Sequence, residues 1–205
     1  MQGIIKEQYY ERTHHKYCYN IMPIENIPSV IQHGILSFKK AALHNHTSVA
    51  LESVQDRRSS VHIPNGLELH QYANLYMDYH NPMLYRRQDE ATHICILAVD
   101  ISVIEIEGCI LTDGNAAAGL TKFFSPEDGI QNIPFDIVFE RNWNKSDDYD
   151  KMLHKIRKCA EILIPSCVPY EYVAGAYVLN ENVQKTITQF GFSKKIIINP
   201  SVFYH

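Results

Sequence analysis

The chain has 205 residues and a net charge of −4 when histidine is counted as neutral. This length fits one domain with a substantial core, and 45% apolar and 20% charged residues are ordinary for a soluble globular protein. No run approaches the ~20 apolar residues of a membrane span, and the N-terminus lacks the apolar stretch of a secretory signal, so a cytoplasmic location is expected. The acidic balance argues against a broad basic surface that coats nucleic acid, although it leaves room for a short basic groove.

The cysteines are odd in number and widely scattered. There are five of them, none forms a CxxC pair, and neither a disulfide framework nor a zinc knuckle is indicated. We expect buried, reduced thiols.

The first half of the chain is predicted to contain one early helix that lies between two strands in sequence. Residues 17–21 are rich in β-forming side chains and predict a strand. A helix should follow, capped by Asn26, with Pro28 in its first turn and Gly34 just after its end. Residues 39–68 are polar and irregular, which is typical of a long functional loop. Residues 94–99 predict a strand, followed by a second β-prone run at residues 103–106.

The second half contains one clear amphipathic helix and several short strands. Apolar side chains recur at helical spacing after two aspartates that favour a helix N-terminus: Asp147, Asp148, Tyr149, Met152, Leu153 and Ile156. Strands are predicted at residues 161–164, 172–179 and 196–198, with a short helix at 182–190 that ends at Gly191. Many short strands without regular βαβ alternation predict an α+β fold, in a single domain over residues 1–205. Neither a GxGxxG motif after the first strand nor a Walker motif occurs, so the two commonest nucleotide-binding folds are not supported.

Three distant stretches are dense in residues that a core does not need: 69–85, 112–117 and 159–165. In the third, Glu161 stands at the start of an apolar, β-prone run, where an ionised group is costly to bury without a partner or a function. Taken alone, a glutamate at such a helix–strand junction is more often a surface or salt-bridged residue. Arg57 and Arg58 precede the first stretch; a guanidinium can hold a pyrophosphate bidentately, or the pair can be a charged loop doublet.

Aromatic and basic residues suggest contacts with nucleic acid, with simpler alternatives. The tyrosines, histidines and asparagines of residues 69–85 suit base stacking and edge reading of a single strand, or a tyrosine-rich core segment. Residues 112–117 contain the sequence Asp-Gly-Asn, which is typical of turns in any protein. Three basic groups are candidate local patches or solvated faces: Arg57 and Arg58; Arg86 and Arg87; and Lys151, Lys155, Arg157 and Lys158.

In order along residues 17–178, these segments resemble the DarT family of DNA ADP-ribosyltransferase toxins. The motifs that carry the resemblance are the opening element at residues 19–27, the Leu69-His70 motif, the Asp113-Gly114-Asn115 turn and the Ala-Glu-Ile-Leu-Ile-Pro segment around Glu161. The resemblance implies an ADP-ribosyltransferase-like fold with central mixed or antiparallel sheets flanked by short helices. It also implies NAD as co-substrate, no metal, no membrane, single-stranded DNA as acceptor, and a macrodomain antitoxin of the DarG type as partner.

The family's functional residues map onto specific positions of this chain. Glu161 corresponds to the catalytic glutamate, and an arginine that serves both NAD and the reaction falls at Arg58 by spacing, with Arg57 left open. The implied cofactor-binding residues are Asn20, Ile21, Met22, Ser29, Gly34, Ser37, Arg57 and Arg58. Some relatives carry Thr-His where this chain has Met22-Pro23, so a histidine contact is not expected here. The implied DNA-contacting residues are His70, Tyr72, Tyr76, Tyr85, Asn115 and Lys122.

Two other functions remain open at this stage. One is a transferase of the same fold that acts on RNA or protein, and the other is a catalytically silent nucleic-acid-binding module. The modified base, thymine or guanine, and the oligomeric state are not determined by these motifs.

Overall fold

A computed structural model describes residues 3–44, 52–64, 66–142 and 147–204. The described residues contain ten strands, β1 (Tyr17–Pro23), β2 (Ile35–Leu36), β3 (Tyr72–Tyr76), β4 (Ile94–Asp100), β5 (Ile110–Thr112), β6 (Phe123–Phe124), β7 (Glu161–Pro165), β8 (Cys167–Val168), β9 (Val173–Val178) and β10 (Lys195–Ile198). They also contain nine α-helices, α1 (Ile4–Thr13), α2 (Ile27–His33), α3 (Phe38–Ala41), α4 (Glu52–Ser59), α5 (Pro82–Tyr85), α6 (Pro126–Asn132), α7 (Phe135–Val138), α8 (Asp148–Arg157) and α9 (Glu181–Gln189).

Eight strands form one sheet in the order β10-β9-β4-β1-β3-β7-β5-β6, and β2 pairs with β8 separately. All pairs in the large sheet are antiparallel except β10 with β9. Neighbouring strands are therefore often distant in sequence, and β7 lies beside β3 although some 85 residues separate them. This mixed sheet with short helices confirms the α+β class.

Apolar packing on the sheet fixes the helices around it. The largest core cluster includes Tyr9 of α1, Ile27 and Val30 of α2, and Val183 and Ile187 of α9, together with the buried strand residues. Burial of each large aliphatic side chain contributes about 1.5–3 kcal/mol relative to leaving it in water. Residues at spacings of three and four in α2 and α9 thus hold these helices against the sheet.

The central strands β1 and β3 separate along most of their length. All seven residues of β1 pair with β4, whereas only Tyr19 pairs with β3, opposite Tyr76. Beyond that point the Asn20 side chain spans the gap, donating from Nδ2 to the main-chain oxygen of Asn74 at 3.0 Å. The β3-facing edge of β1 after Tyr19 thus has main-chain groups without ladder partners in β3.

Most predicted elements are found within a residue or two, and three expectations are wrong in detail. Residues 103–105 belong to a 3₁₀ helix (Ile101–Glu105) that ends before Ile106, instead of a strand, because Asp100 caps the helix by accepting from the Ser102 N–H at 2.9 Å. Asn26 precedes α2 but makes no side-chain capping bond. The supposed loop at 39–68 contains α4 and part of α3; its residues 45–51 and 65 lie outside the described part of the chain.

Two further features concern the state of the thiols and the length of the helices. All five cysteines are free, four of them buried and Cys167 partly exposed, as expected for reduced thiols. Among the described residues, no helix is both long and apolar enough to cross a bilayer.

Candidate active site

A cleft of about 1000 Å³ opens where β1 and β3 separate. Its walls come from β1, α2 and the turn after it, α4, β3, α5 and α8. This volume is at the upper end of the roughly 300–1,000 Å³ of small-molecule sites. The cleft is therefore large enough for a dinucleotide-sized ligand.

A buried ion pair joins two residues from opposite sides of this region. Arg58 Nη1 lies 3.1 Å from both carboxylate oxygens of Glu161, and Arg58 Nη2 donates to Oε2 at 3.1 Å. Glu161 is fully buried, and Arg58 is 7% exposed and lines the cleft. Burial alone would lower the pKa of Arg58. The charge and the hydrogen bonds of Glu161 outweigh this effect, so the pKa of Arg58 is raised above its ordinary value. The guanidinium thus stands between the carboxylate and the cleft.

A main-chain amide and a side-chain hydroxyl of residues 112–117 position the glutamate. The Ala116 N–H donates to Glu161 Oε1 at 2.9 Å. Thr112 Oγ1 accepts from the Glu161 N–H at 2.9 Å and donates to the Gly114 carbonyl oxygen at 2.6 Å. Because these bonds are buried, they fix both ends of the Glu161 residue against the 112–117 turn.

The 112–117 turn is attached in turn to α8. The Asn115 N–H donates to the Ile156 carbonyl oxygen at 3.0 Å, and Asn115 Oδ1 accepts from the Ala117 N–H at 2.9 Å. Arg157 forms an ion pair with Asp113 and donates to its carbonyl oxygen at 2.9 Å. The turn, the end of α8 and the start of β7 therefore form one connected support for Glu161.

Two titratable side chains near the pair are held neutral. Tyr76 pairs with Glu161 across β3 and β7, and burial followed by the Glu161 charge raises the pKa of its hydroxyl. Burial, and after it the Arg58 charge, lowers the pKa of His70, whose Nε2 is 3.1 Å from Gln55 Oε1. The His70 ring also stacks on Phe38, with centroids 4.3 Å apart. Near neutral pH the two groups therefore offer uncharged hydrogen-bonding atoms and ring faces.

The structure brings most of the sequence-predicted residues to this cleft. Those that line it are Asn20, Ile21, Met22, Ser29, Gly34, Arg57, Arg58, His70, Tyr72, Tyr76 and Asn115. Arg57 is exposed, and it is Arg58 that pairs with Glu161. Gly34 adopts φ +77°, and a Cβ there would lie 2.2 Å from the Val168 oxygen, so only glycine fits the turn that ends α2 at the cleft.

Besides the fully buried Glu161, three predicted residues lie outside the cleft lining. Ser37 is buried and caps α3 by accepting from the Lys40 N–H at 3.3 Å. Tyr85 is 50% exposed and packs edge-to-face with Tyr204. Lys122 is exposed, and its main-chain N–H donates to Asp113 Oδ1 at 2.8 Å.

Sequence reasoning named Lys151 and Lys155 as a candidate basic patch, but it did not place α8 at the cleft, and it missed the support of Glu161. Lys151, Met152, Lys155 and Ile156 of α8 line the cleft, and their spacing of three and four residues was the available signal. Nothing in the sequence marked Thr112 or Ala116 as partners of Glu161. Among the described residues, no group of three potential metal ligands is found.

The fold matches solved DarT and DarTG structures. Thermosipho africanus DarTG in complex with ADP-ribose superposes with a TM-score of 0.81 at 27% identity, over 92% of this chain and 51% of that one. Thermus sp. 2.9 DarT has been solved with ADP-ribosylated ssDNA (TM-score 0.78, 21% identity, covering 95% of this chain and 97% of that one) and with NAD+ (TM-score 0.74, 19% identity, covering 92% and 98%).

Sequence comparison assigns the family. The family model "ssDNA thymidine ADP-ribosyltransferase, DarT" matches residues 19–204, so the chain belongs to the DarT family of DNA ADP-ribosyltransferases. The Thermosipho africanus DNA ADP-ribosyl transferase–glycohydrolase fusion protein is 30% identical over 91% of this chain, which spans only about half (49%) of that protein. The Mycobacterium tuberculosis DNA ADP-ribosyl transferase is 27% identical, covering 95% of this chain and 91% of its own length. The expected family and fold are both confirmed.

Proposed function

We propose that this chain transfers ADP-ribose from NAD to a base in single-stranded DNA and releases nicotinamide. The observation that carries the proposal is the buried Arg58–Glu161 pair at a dinucleotide-sized cleft. A silent binding module would have no reason to keep two opposite charges buried beside a ligand site, because such pairs seldom add net stability. The Thermus relative solved with NAD+ and with ADP-ribosylated ssDNA supports the choice of both substrates.

The open edge of β1 fits the nicotinamide end of NAD. Main-chain N–H and C=O groups after Tyr19 lack partners in β3 and face the gap that forms the cleft. A carboxamide presents one donor group and one acceptor, which alternate strand groups can satisfy. Asn20, Ile21 and Met22 would hold this group, Ser29 and Gly34 would line the adjoining turn, and exposed Arg57 would contact the pyrophosphate.

Glu161 and Arg58 would act on the reacting centre. When the bond between C1′ of the ribose and the nicotinamide nitrogen breaks, nicotinamide leaves with the bonding electrons and positive charge develops on the ribose. A carboxylate stabilises that charge or orients the ribose hydroxyl. The base nitrogen then bonds to C1′ and releases its proton to solvent. Because an arginine stays protonated, Arg58 would act electrostatically, stabilising the base as its proton departs.

The remaining residues would hold the acceptor. The Tyr72 and Tyr76 rings and neutral His70 would contact an unstacked base, and Asn115 would hydrogen-bond a base or ribose. A single strand is the favoured acceptor because extruding a base from a duplex costs a few kcal/mol. The family model's description makes thymidine the first base to test, with guanine as the alternative.

The biological role we propose is that of a toxin. The Thermosipho relative joins a transferase to a DNA ADP-ribosyl glycohydrolase in one chain, which supports a separate antitoxin of the DarG type that removes the modification. A cytoplasmic location accompanies this role.

One experiment tests acceptor and base together. Labelled NAD is offered with single-stranded DNA of mixed sequence, its annealed duplex, matched RNA and bulk protein, and modified nucleosides are identified by mass spectrometry. We expect label mainly on single-stranded DNA, on one base type. Label mainly on RNA or protein would replace this function with that of a transferase of another specificity, and no nicotinamide release with any acceptor would contradict enzymatic activity.

A further inference from the structure

One face of α8 forms a complete wall of the cleft. Asp148, Lys151, Met152, Lys155 and Ile156 line the cleft at intervals of three, one, three and one residues. Such spacing places them on a single helical face. Met152 is 44% exposed and Lys155 is exposed as well, so this face presents an apolar side chain between two cations.

These lysines differ from the other cations at the end of the same helix. Arg157 is engaged by Asp113, and fully buried Lys158 donates to Asp78 Oδ2 at 2.7 Å. In the described part of the chain, by contrast, Lys151 and Lys155 form no ion pair. The run of four cations is therefore divided into two that stabilise the fold and two whose charges face the cleft.

A further cation stands on the wall formed by α5. Arg86, the residue after α5, is exposed, lines the cleft and forms no ion pair with a described residue. The two walls meet where Cys159 and the Met83 main chain are hydrogen-bonded; burial nevertheless raises the pKa of that thiol to about 12. Asp148 is the sole acidic residue among the described residues that line the cleft.

We propose that Lys151, Lys155 and Arg86 bind the phosphates of the acceptor strand on either side of the reacting base, and that Met152 packs against a neighbouring base. The inference rests on the proposed function, since it assumes a single-stranded DNA acceptor. Cations about one turn apart, roughly 6 Å along the helix axis, can contact neighbouring phosphates. Stacking against an apolar side chain tolerates any base, whereas phosphate contacts set the register of the strand.

Direct binding tests this assignment without relying on turnover. Fluorescence anisotropy with a labelled single-stranded oligonucleotide would compare the wild type, the Lys151→Glu/Lys155→Glu variant and Arg86→Glu. We expect Kd to rise at least tenfold in the double variant. The slope of log Kd against log salt should fall by about 1.4, because each lost single-strand contact contributes about 0.7. Lys185→Glu on the exposed face of α9 is the matched control and should bind within twofold of the wild type.

A second probe separates phosphate contacts from lost folding. An oligonucleotide with methylphosphonate linkages has no backbone charge, so the wild type should bind it weakly. The double variant should bind this oligonucleotide with the same weak affinity as the wild type. Melting temperatures of all variants should stay within a few degrees of the wild type. Wild-type affinity or an unchanged salt slope in the double variant would overturn the assignment.

The acceptor assay distinguishes this failure from failure of the proposed function. If the wild type modifies DNA while the double variant binds DNA with wild-type affinity, only the assignment of the phosphate contacts is wrong. If the wild type modifies RNA or protein instead, the proposed function itself fails. Tighter binding of RNA than of DNA of the same sequence would assign this face to RNA and overturn the DNA inference.

Discussion

Arg58 and Glu161 are 103 residues apart in sequence, yet the guanidinium donates three hydrogen bonds to the carboxylate. The carboxylate is fully buried and accepts a fourth bond, from the Ala116 N–H. Removing one partner of such a pair leaves an uncompensated buried charge, whereas in the intact pair the attraction only offsets the cost of desolvation. Function and stability are therefore coupled at this one contact, so both turnover and the free energy of unfolding must be measured for each variant.

Replacement of Glu161 should abolish transfer through two separable effects. Glu161→Gln keeps the shape and one oxygen acceptor but removes the charge, so we expect turnover to fall on the order of a hundredfold or more. Glu161→Ala also removes both oxygens that accept from Arg58 and should lower the free energy of unfolding by about 3–5 kcal/mol, more than Glu161→Gln does. Urea unfolding and nicotinamide release measure the two effects. Retention of more than a tenth of wild-type turnover by Glu161→Gln would show that the carboxylate is not catalytic.

The two adjacent arginines should behave differently. Arg58→Ala should reduce both stability and turnover, and Arg58→Lys should recover little because an ammonium cannot reproduce the guanidinium fork. Arg57 is exposed, so Arg57→Ala should leave the melting temperature unchanged and raise KM for NAD. Initial rates over a range of NAD concentrations separate these outcomes. If Arg58→Ala kept wild-type activity while Arg57→Ala were inactive, Arg57 would be the functional arginine instead of Arg58.

Thr112 should matter as a positioning residue. Its buried hydroxyl joins the Glu161 N–H to the Gly114 carbonyl. Thr112→Val leaves both groups unsatisfied and should cost about 1–3 kcal/mol of stability. We also expect kcat to fall with little change in KM for NAD, because the displaced group is Glu161. Thr112→Ser keeps the hydroxyl and should restore kcat; if it does not, the hydroxyl has no positioning role.

Stability should decrease as the pH falls below 6.5. Burial lowers the pKa of His15, His70 and His80 below the ordinary histidine value of 6.5. Below that value the unfolded chain takes up protons that the folded chain does not, so the free energy of unfolding falls with pH. Urea unfolding between pH 7.5 and 5.5 measures the slope. His15→Phe preserves the stack on Phe139 and should reduce the slope, whereas His93→Gln, at an exposed position, should not; equal slopes in all three proteins would contradict this assignment.

Local patterns predicted much of the fold, and the tertiary arrangement could not be read from them. The helix at α8 and the strand that begins at Glu161 follow from periodicity and β-propensity, and spacing favoured Arg58 over Arg57. The separation of β1 from β3 depends on pairing between distant segments, and no local signal marks it. The same limit applies to Ser37, whose hydroxyl caps a helix, and to Lys158, whose ammonium is buried against Asp78.

The burial of Glu161 also determines the electrostatic field that an approaching polyanion meets. A bare carboxylate at the cleft would repel a pyrophosphate or a DNA strand, but here it is covered and neutralised by Arg58. Among the residues that the structure describes, the cleft therefore presents Arg57, Arg86 and the α8 lysines against a single aspartate, although the whole chain carries a charge of −4. Such local focusing accelerates encounter with anionic ligands and weakens as ionic strength rises. An overall acidic molecule can thus attract acidic substrates to one place and repel them elsewhere.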